Sequence, residues 1–206
     1  MNPEYYLSDP CGASSLPFWK TNAVTPPEGV TVVRDDEYSP FAYPGADAPY
    51  FKLIHRLENV AAPPIPAGYT LVAADSGTFA SHINECYSDI SVTAAELKEY
   101  ASHPVYDPSL WIAVAEESSG RILATGIAEF DKSIGEGALE WIQVSPDCRS
   151  KGLGKFVVQS LLCELSRMAR FVTVSGRCGG VTDPAPFYVS CGFTGKVIWH
   201  VIKKND

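Results

Sequence analysis

Residues 148–155, Cys-Arg-Ser-Lys-Gly-Leu-Gly-Lys, set three cations and two glycines ahead of a sustained apolar pattern. Glycine lets a backbone approach a ligand closely, and the first N–H groups of a helix have no partner of their own, so this composition suits a phosphate. Two nucleotide-binding readings fail on spacing. A Walker A loop needs a hydroxyl residue after Gly-Lys to hold magnesium, and Phe156 follows Gly154-Lys155. A dinucleotide fingerprint needs a third glycine where Val157 stands and an acidic residue closing the next strand of a parallel unit; both are missing. What remains is Arg149-x-x-Gly152-x-Gly154. There the backbone N–H groups of 150–155 and the helix dipole would act on a phosphate, reinforced by Arg149, Lys151 and Lys155.

Other reactive side chains offer less. The cysteines at 11, 86, 148, 163, 178 and 191 form no CxxC pair and no zinc spacing, and the histidines at 55, 82, 103 and 200 have no metal spacing, so no metal is expected. Cys191 reads as a small buried thiol. Glu129 and Glu140 lie on successive strands; period-two alternation would put Glu140, Ile142 and Val144 on one face and Trp141 and Gln143 on the other.

The elements that must position these residues are legible from periodicity and turn signals. Residues 1–60, rich in proline and aromatics, read as an N-terminal arm with strands at 29–35 and 50–60, which pair with each other or extend the main sheet. Residues 61–68, with three prolines, read as a linker, and 69–206 as the main domain. Strands at 69–74, 110–117, 121–131, 137–146, 170–176 and 195–204 alternate with helices at 75–90, 93–102, one of about 17 residues after Gly152, and a short one within 183–193. The three central strands read as an antiparallel meander, and the order is β-α-α-β-β-β-α-β-α-β.

The charge balance, 16 Lys and Arg against 24 Asp and Glu for a net −8, argues against nucleic acid as the partner and suits a cationic small molecule. No apolar run approaches the length of a bilayer span, so no membrane partner is expected. The opening MNPEYYLSDPCG has no basic stretch followed by an apolar one, so export is not expected; a cytoplasmic protein with reduced thiols is.

In this context Arg149-x-x-Gly152-x-Gly154, between a strand ending Val-Ser-Pro and a long helix, resembles the pyrophosphate-binding signature of the GCN5-related N-acetyltransferase (GNAT) superfamily. Pro186-Phe-Tyr188-Val-Ser-Cys-Gly-Phe193 resembles its Tyr-x-x-x-Gly-Phe segment. The resemblance covers roughly 67–204. It implies an α/β fold with a twisted, splayed mixed sheet of about six or seven strands and helices on both faces, and transfer of an acetyl group from acetyl-CoA to an amine. By the same resemblance the turn Arg149, Ser150, Lys151, Gly152, Leu153, Gly154 and Lys155 would hold the coenzyme pyrophosphate, and main-chain groups at Ile142 and Val144 the pantetheine arm. Tyr188 would be the acid at the departing thiolate. Glu140 is the candidate base, with Glu129 or a water relay as alternatives. The acceptor would be a small-molecule or peptide amine, the protein a monomer or homodimer. A non-catalytic coenzyme A-binding sensor of the same fold is the other reading. One departure is Val181, where the family often has a polar residue.

Overall fold

Asn2 and Asp9 each stand before a proline, whose fixed φ suits a first helical turn and whose missing N–H costs nothing there. A computed structural model describing residues 1–88, 90–179 and 183–204 shows both as caps. Asn2 accepts from the Glu4 N–H at 2.8 Å to start α1 (Pro3–Ser8), and Asp9 from the Gly12 N–H at 3.0 Å to start α2 (Pro10–Ala13). α3 (Phe18–Ala23) follows, then strands β1 (Val30–Arg34) and β2 (Ala46–His55). The sequence-based reading has both strands of this stretch but none of its three short helices.

Beyond residue 60 the chain folds in the expected order: β3 (Tyr69–Val72), α4 (Ser76–Cys86), α5 (Ala94–Tyr100), β4 (Trp111–Glu116), β5 (Ile122–Asp131), β6 (Glu136–Val144), α6 (Leu153–Leu165), β7 (Phe171–Arg177), α7 (Ala185–Ser190) and β8 (Thr194–Lys203). Caps explain the helix starts. Asp75 accepts from the Thr78 N–H at 2.8 Å ahead of α4, and Thr93 forms a reciprocal capping box with Glu96 ahead of α5. Among the described residues no helix is long and apolar enough to cross a membrane. Val181 lies outside the described residues.

The chain divides into two compact units: Met1–Arg56 with the chain from Phe171 onward, and Leu57–Arg170. In the first unit the strand order is β1-β8-β2-β7, each antiparallel to its neighbour, with Val33 opposite His200, Phe51 opposite Ile198 and Leu53 opposite Val174. β1 and β2 therefore do not pair with each other; β8 runs between them. In the second unit β6-β5-β4-β3 is the antiparallel meander extended by one strand. Its two faces carry different helices. Gly126 faces α6, where a Cβ would overlap Val157, whereas the next residue back, Thr125, hydrogen-bonds His82 of α4. Phe79, Ile83, Val92, Leu97 and Ile127 form the core under α4 and α5, and Val157, Leu161 and Leu165 the buried face of α6.

A charged clamp closes β1, β2 and β8. His200 on β8 bonds Asp47 Oδ2 through Nδ1 at 2.8 Å and Asp35 Oδ1 through Nε2 at 3.0 Å, with Tyr38 stacked on its ring at 3.8 Å. Burial alone would lower the imidazole pKa, but the two carboxylates outweigh it and raise it above its usual value. A raised folded-state pKa means the clamp's stabilisation is fully present below the unfolded-state value, about 6.5, and is lost as pH rises through the folded one. His200→Gln is therefore expected to lower Tm more at pH 5.5 than at pH 9. An equal loss at both, in thermal scans, would show the clamp does not titrate.

Candidate active site

The strand leading to the glycine turn is not regular. Ile127 pairs with Trp141 but Ala128 pairs with Leu139, so Glu140 is an extra residue on β6, the mark of a β-bulge. The alternation expected from the sequence is broken at this candidate base, and Glu140 no longer continues the face of Ile142 and Val144. It is half-buried. Glu129, the alternative, sits on β5 opposite Ala138 and is only 3% exposed. Beside the bulge Tyr87 packs against Trp141 with ring centroids 6.2 Å apart, and its hydroxyl donates to the Ile142 carbonyl at 3.4 Å.

Past Val144 the chain makes a single 3₁₀ turn over Pro146–Cys148 and enters α6 through two left-handed residues, Ser150 (φ 63°) and Gly152 (φ 85°). Gly152 is the N-cap, and no side chain caps the helix. The first helical bond runs from the Phe156 N–H to the Gly152 carbonyl at 3.0 Å. The N–H groups of Leu153, Gly154 and Lys155 thus have no intrahelical acceptor, which concentrates the positive end of the dipole on the turn. Arg149 bends back: its guanidinium donates to the carbonyls of Val144 at 3.4 Å and Cys86 at 3.3 Å, fastening the turn to β6 and α4. Lys151 Nζ lies 3.8 Å from Cys148 Sγ. Arg121 holds the turn from outside, pairing with Asp147 at 2.7 Å and Glu85 at 2.8 Å.

Beneath this turn lies a polar network the sequence did not announce. His82, 3% exposed on α4, reaches Thr125 Oγ1 through Nδ1 at 2.9 Å and Ser145 Oγ through Nε2 at 3.1 Å; Gln143 Nε2 also donates to Thr125 Oγ1. It ties α4, β5 and β6 to the residue that opens the turn. Burial holds the His82 pKa below its usual value, so at neutral pH the imidazole acts as a neutral hydrogen-bonding group. Cys86 Sγ lies 3.7 Å from His82 Nε2, a spacing that invites a thiolate–imidazolium reading. Burial and then Glu85 push that thiol up to about 11, so it stays protonated and is no activated nucleophile at neutral pH.

Glu140, Ile142, Val144 and the turn from Arg149 to Lys155 all lie in the second unit. Tyr188 belongs to the first, on α7, buried among Phe51, Phe187 and Phe193 at centroid distances of 6.1, 5.1 and 5.7 Å. The family model for an acetyltransferase (GNAT) domain matches residues 107–195, a span that includes the bulge, the turn and the Tyr188 segment. Residues 107–195 are a GNAT acetyltransferase domain. The GNAT fold is also found in solved structures. A GCN5-related N-acetyltransferase from Sphaerobacter thermophilus superposes with a TM-score of 0.68 at 18% identity, over 91% of this chain and 65% of that one. A tandem GNAT protein from the clavulanic acid biosynthesis pathway gives 0.61 at 12%, over 86% and 64%. The ribosomal-protein-S18-alanine N-acetyltransferase of Escherichia coli gives 0.52 at 16%, over 67% and 96%. The chain thus spans just under two thirds of the first two. At these identities the likeness is one of fold. No curated protein matches the sequence.

Proposed function

We propose that this GNAT domain transfers an acetyl group from acetyl-CoA to a primary amine by direct attack in a ternary complex. The observation that carries this is the turn: an uncapped helix start entered through Ser150 and Gly152 in left-handed conformation, carrying Arg149-x-x-Gly152-x-Gly154. In this reading the N–H groups of Leu153, Gly154 and Lys155 receive the pyrophosphate, with charge from Lys151 and Lys155 and the geometry of the turn held by Arg149. Main-chain groups at Ile142 and Val144 bind the pantetheine arm as an added strand would be bound.

An alkylammonium, with a pKa of about 10.4, must lose a proton before it can attack. Glu140 takes that proton, directly or through water, at a bulge that turns a strand residue toward a cleft. The amine nitrogen then bonds to the acetyl carbon and the tetrahedral intermediate collapses with cleavage of the C–S bond. Tyr188 protonates the departing thiolate, the nitrogen's surplus proton passes through water to restore the phenol, and Glu140 returns its own proton to solvent. No cysteine carrier enters, in keeping with a Cys86 thiol that stays protonated. The setting proposed is cytoplasmic, which the absence of any disulfide among the described residues suits.

Calorimetric titration with coenzyme A and thiol release from acetyl-CoA across a panel of amines and peptides test the reading. Gly152→Val should raise the coenzyme Kd about tenfold or more, because a β-branched residue resists positive φ and its side chain fills the approach to the N–H groups. A Kd within about twofold of wild type would remove the turn from the coenzyme site. Tight coenzyme binding without transfer to any amine would leave a binding module.

A further inference from the structure

Beside the β6 bulge the second unit has a cavity of about 330 Å³. Val92 and Leu97 supply apolar wall, Tyr100 and Trp141 present half-buried rings, and Glu96 and Glu99 stand one turn apart on α5. Among the described residues that line it there is neither lysine nor arginine. The histidine there, His103, packs its ring 5.2 Å from that of Tyr100. The two carboxylates have different duties. Glu96 Oε2 accepts from the Thr93 N–H and hydroxyl at 2.7 Å each, bonds that keep its pKa below the usual value and fix it as a charged member of the capping box. The Glu99 carboxylate is exposed and enters no hydrogen bond or ion pair with another described residue.

Carboxylates and aromatic faces around one ammonium stabilise its charged form. For the nucleophile that would be counterproductive, since the amine that attacks has to be neutral. The same surroundings suit a cation that keeps its charge throughout the reaction. Trp141 directly follows Glu140, so the cavity adjoins the bulge where the proposed base stands.

We infer that the acceptor is a diamine or polyamine: Glu99, with the rings of Tyr100 and Trp141, holds a second, permanently charged ammonium while the first is deprotonated at Glu140. The inference rests on the acetyl-transfer reading above. It also gives the net charge of −8 a local use.

Initial rates of thiol release with 1,4-diaminobutane and with butylamine, acceptors of equal chain length and different charge, test it. The diamine is expected to show a KM about tenfold lower than butylamine, and Glu99→Gln, a change on an exposed helix surface, to bring the two values together. Equal KM values in the wild type, or a diamine preference that survives Glu99→Gln, overturn the inference and leave acetyl transfer standing. If neither amine releases thiol the transfer reading falls, and tryptophan fluorescence decides the cavity. Saturable quenching by 1,4-diaminobutane that vanishes in Glu99→Gln upholds a dication site; no quenching overturns that as well.

Discussion

Tyr188→Phe is expected to lower kcat for acetyl transfer by about a hundredfold or more while leaving the Kd for coenzyme A within about twofold. The departing group of a thioester is a thiolate, and a phenol with a pKa of about 10 is still protonated at neutral pH and close enough in acidity to donate to it. The substitution removes one oxygen and keeps the ring. The contacts with Phe51, Phe187 and Phe193 are ring contacts, so the cluster that holds α7 in the first unit survives. A urea midpoint close to wild type would confirm that the fold is intact, and the kcat loss would then belong to the hydroxyl. An unchanged kcat in a direct assay takes Tyr188 out of the mechanism and leaves it a packing residue. A parallel rise in the coenzyme Kd would mean that the hydroxyl binds ligand instead of moving a proton.

The order of elements from β3 to β8 was readable because each carries its own local signal. The apolar spacing of Leu153, Val157, Leu161 and Leu165 has a helical period, and Asp75 and Thr93 stand where N-caps belong. The glycine turn was readable for the same reason: its Gly152 must occupy positive φ, and only a few residue types do so cheaply. The helix after it is nonetheless 13 residues long where about 17 were expected, since past Leu165 the N–H groups of Arg167 and Met168 turn to carbonyls three residues back and break the helical ladder.

What sequence did not disclose depends on more than one segment. The Glu140 bulge is a slip between two strands, and a period-two rule applied to one strand has no term for it. The His82 network gathers residues 82, 125, 143 and 145, whose spacing in the chain carries no pattern. The arm was hardest to read. Its helices are of six residues or fewer, too short for periodicity to show, and too short to persist in water without tertiary support. Asn2-Pro3 and Asp9-Pro10 were their only local announcement.

That support comes from Lys52, and Lys52→Met is expected to cost about 3 kcal/mol of stability in urea unfolding. In sequence Lys52 alternates with Phe51 and Leu53 and reads as the solvent side of a strand. In the structure it is fully buried, and its ammonium donates to the Tyr6 hydroxyl at 2.8 Å and to the carbonyls of Pro10 and Leu16 at 2.9 Å each. Nζ also lies 4.9 Å from the Tyr6 ring centroid. All three acceptors belong to residues 1–16, so one side chain ties together a tyrosine of α1, the first residue of α2 and the loop that follows. Two effects oppose each other in the substitution. Methionine spares the cost of taking an ammonium out of water, which alone would make the change neutral or favourable. Against that, acceptors buried beneath the arm lose their donor, at about 1–3 kcal/mol for each left unsatisfied. The Leu16 carbonyl keeps a second donor, the Tyr6 hydroxyl at 3.4 Å, while the Pro10 carbonyl depends on Lys52. With at least one buried acceptor orphaned and the cation–ring contact gone, the loss outweighs the gain. Because these three acceptors lie in the arm, limited proteolysis of Lys52→Met should cut first within residues 1–23, ahead of any cut in Leu57–Arg170. A variant as stable and as protease-resistant as wild type would mean that the ammonium's desolvation cancels its bonds, and that apolar packing alone holds the arm.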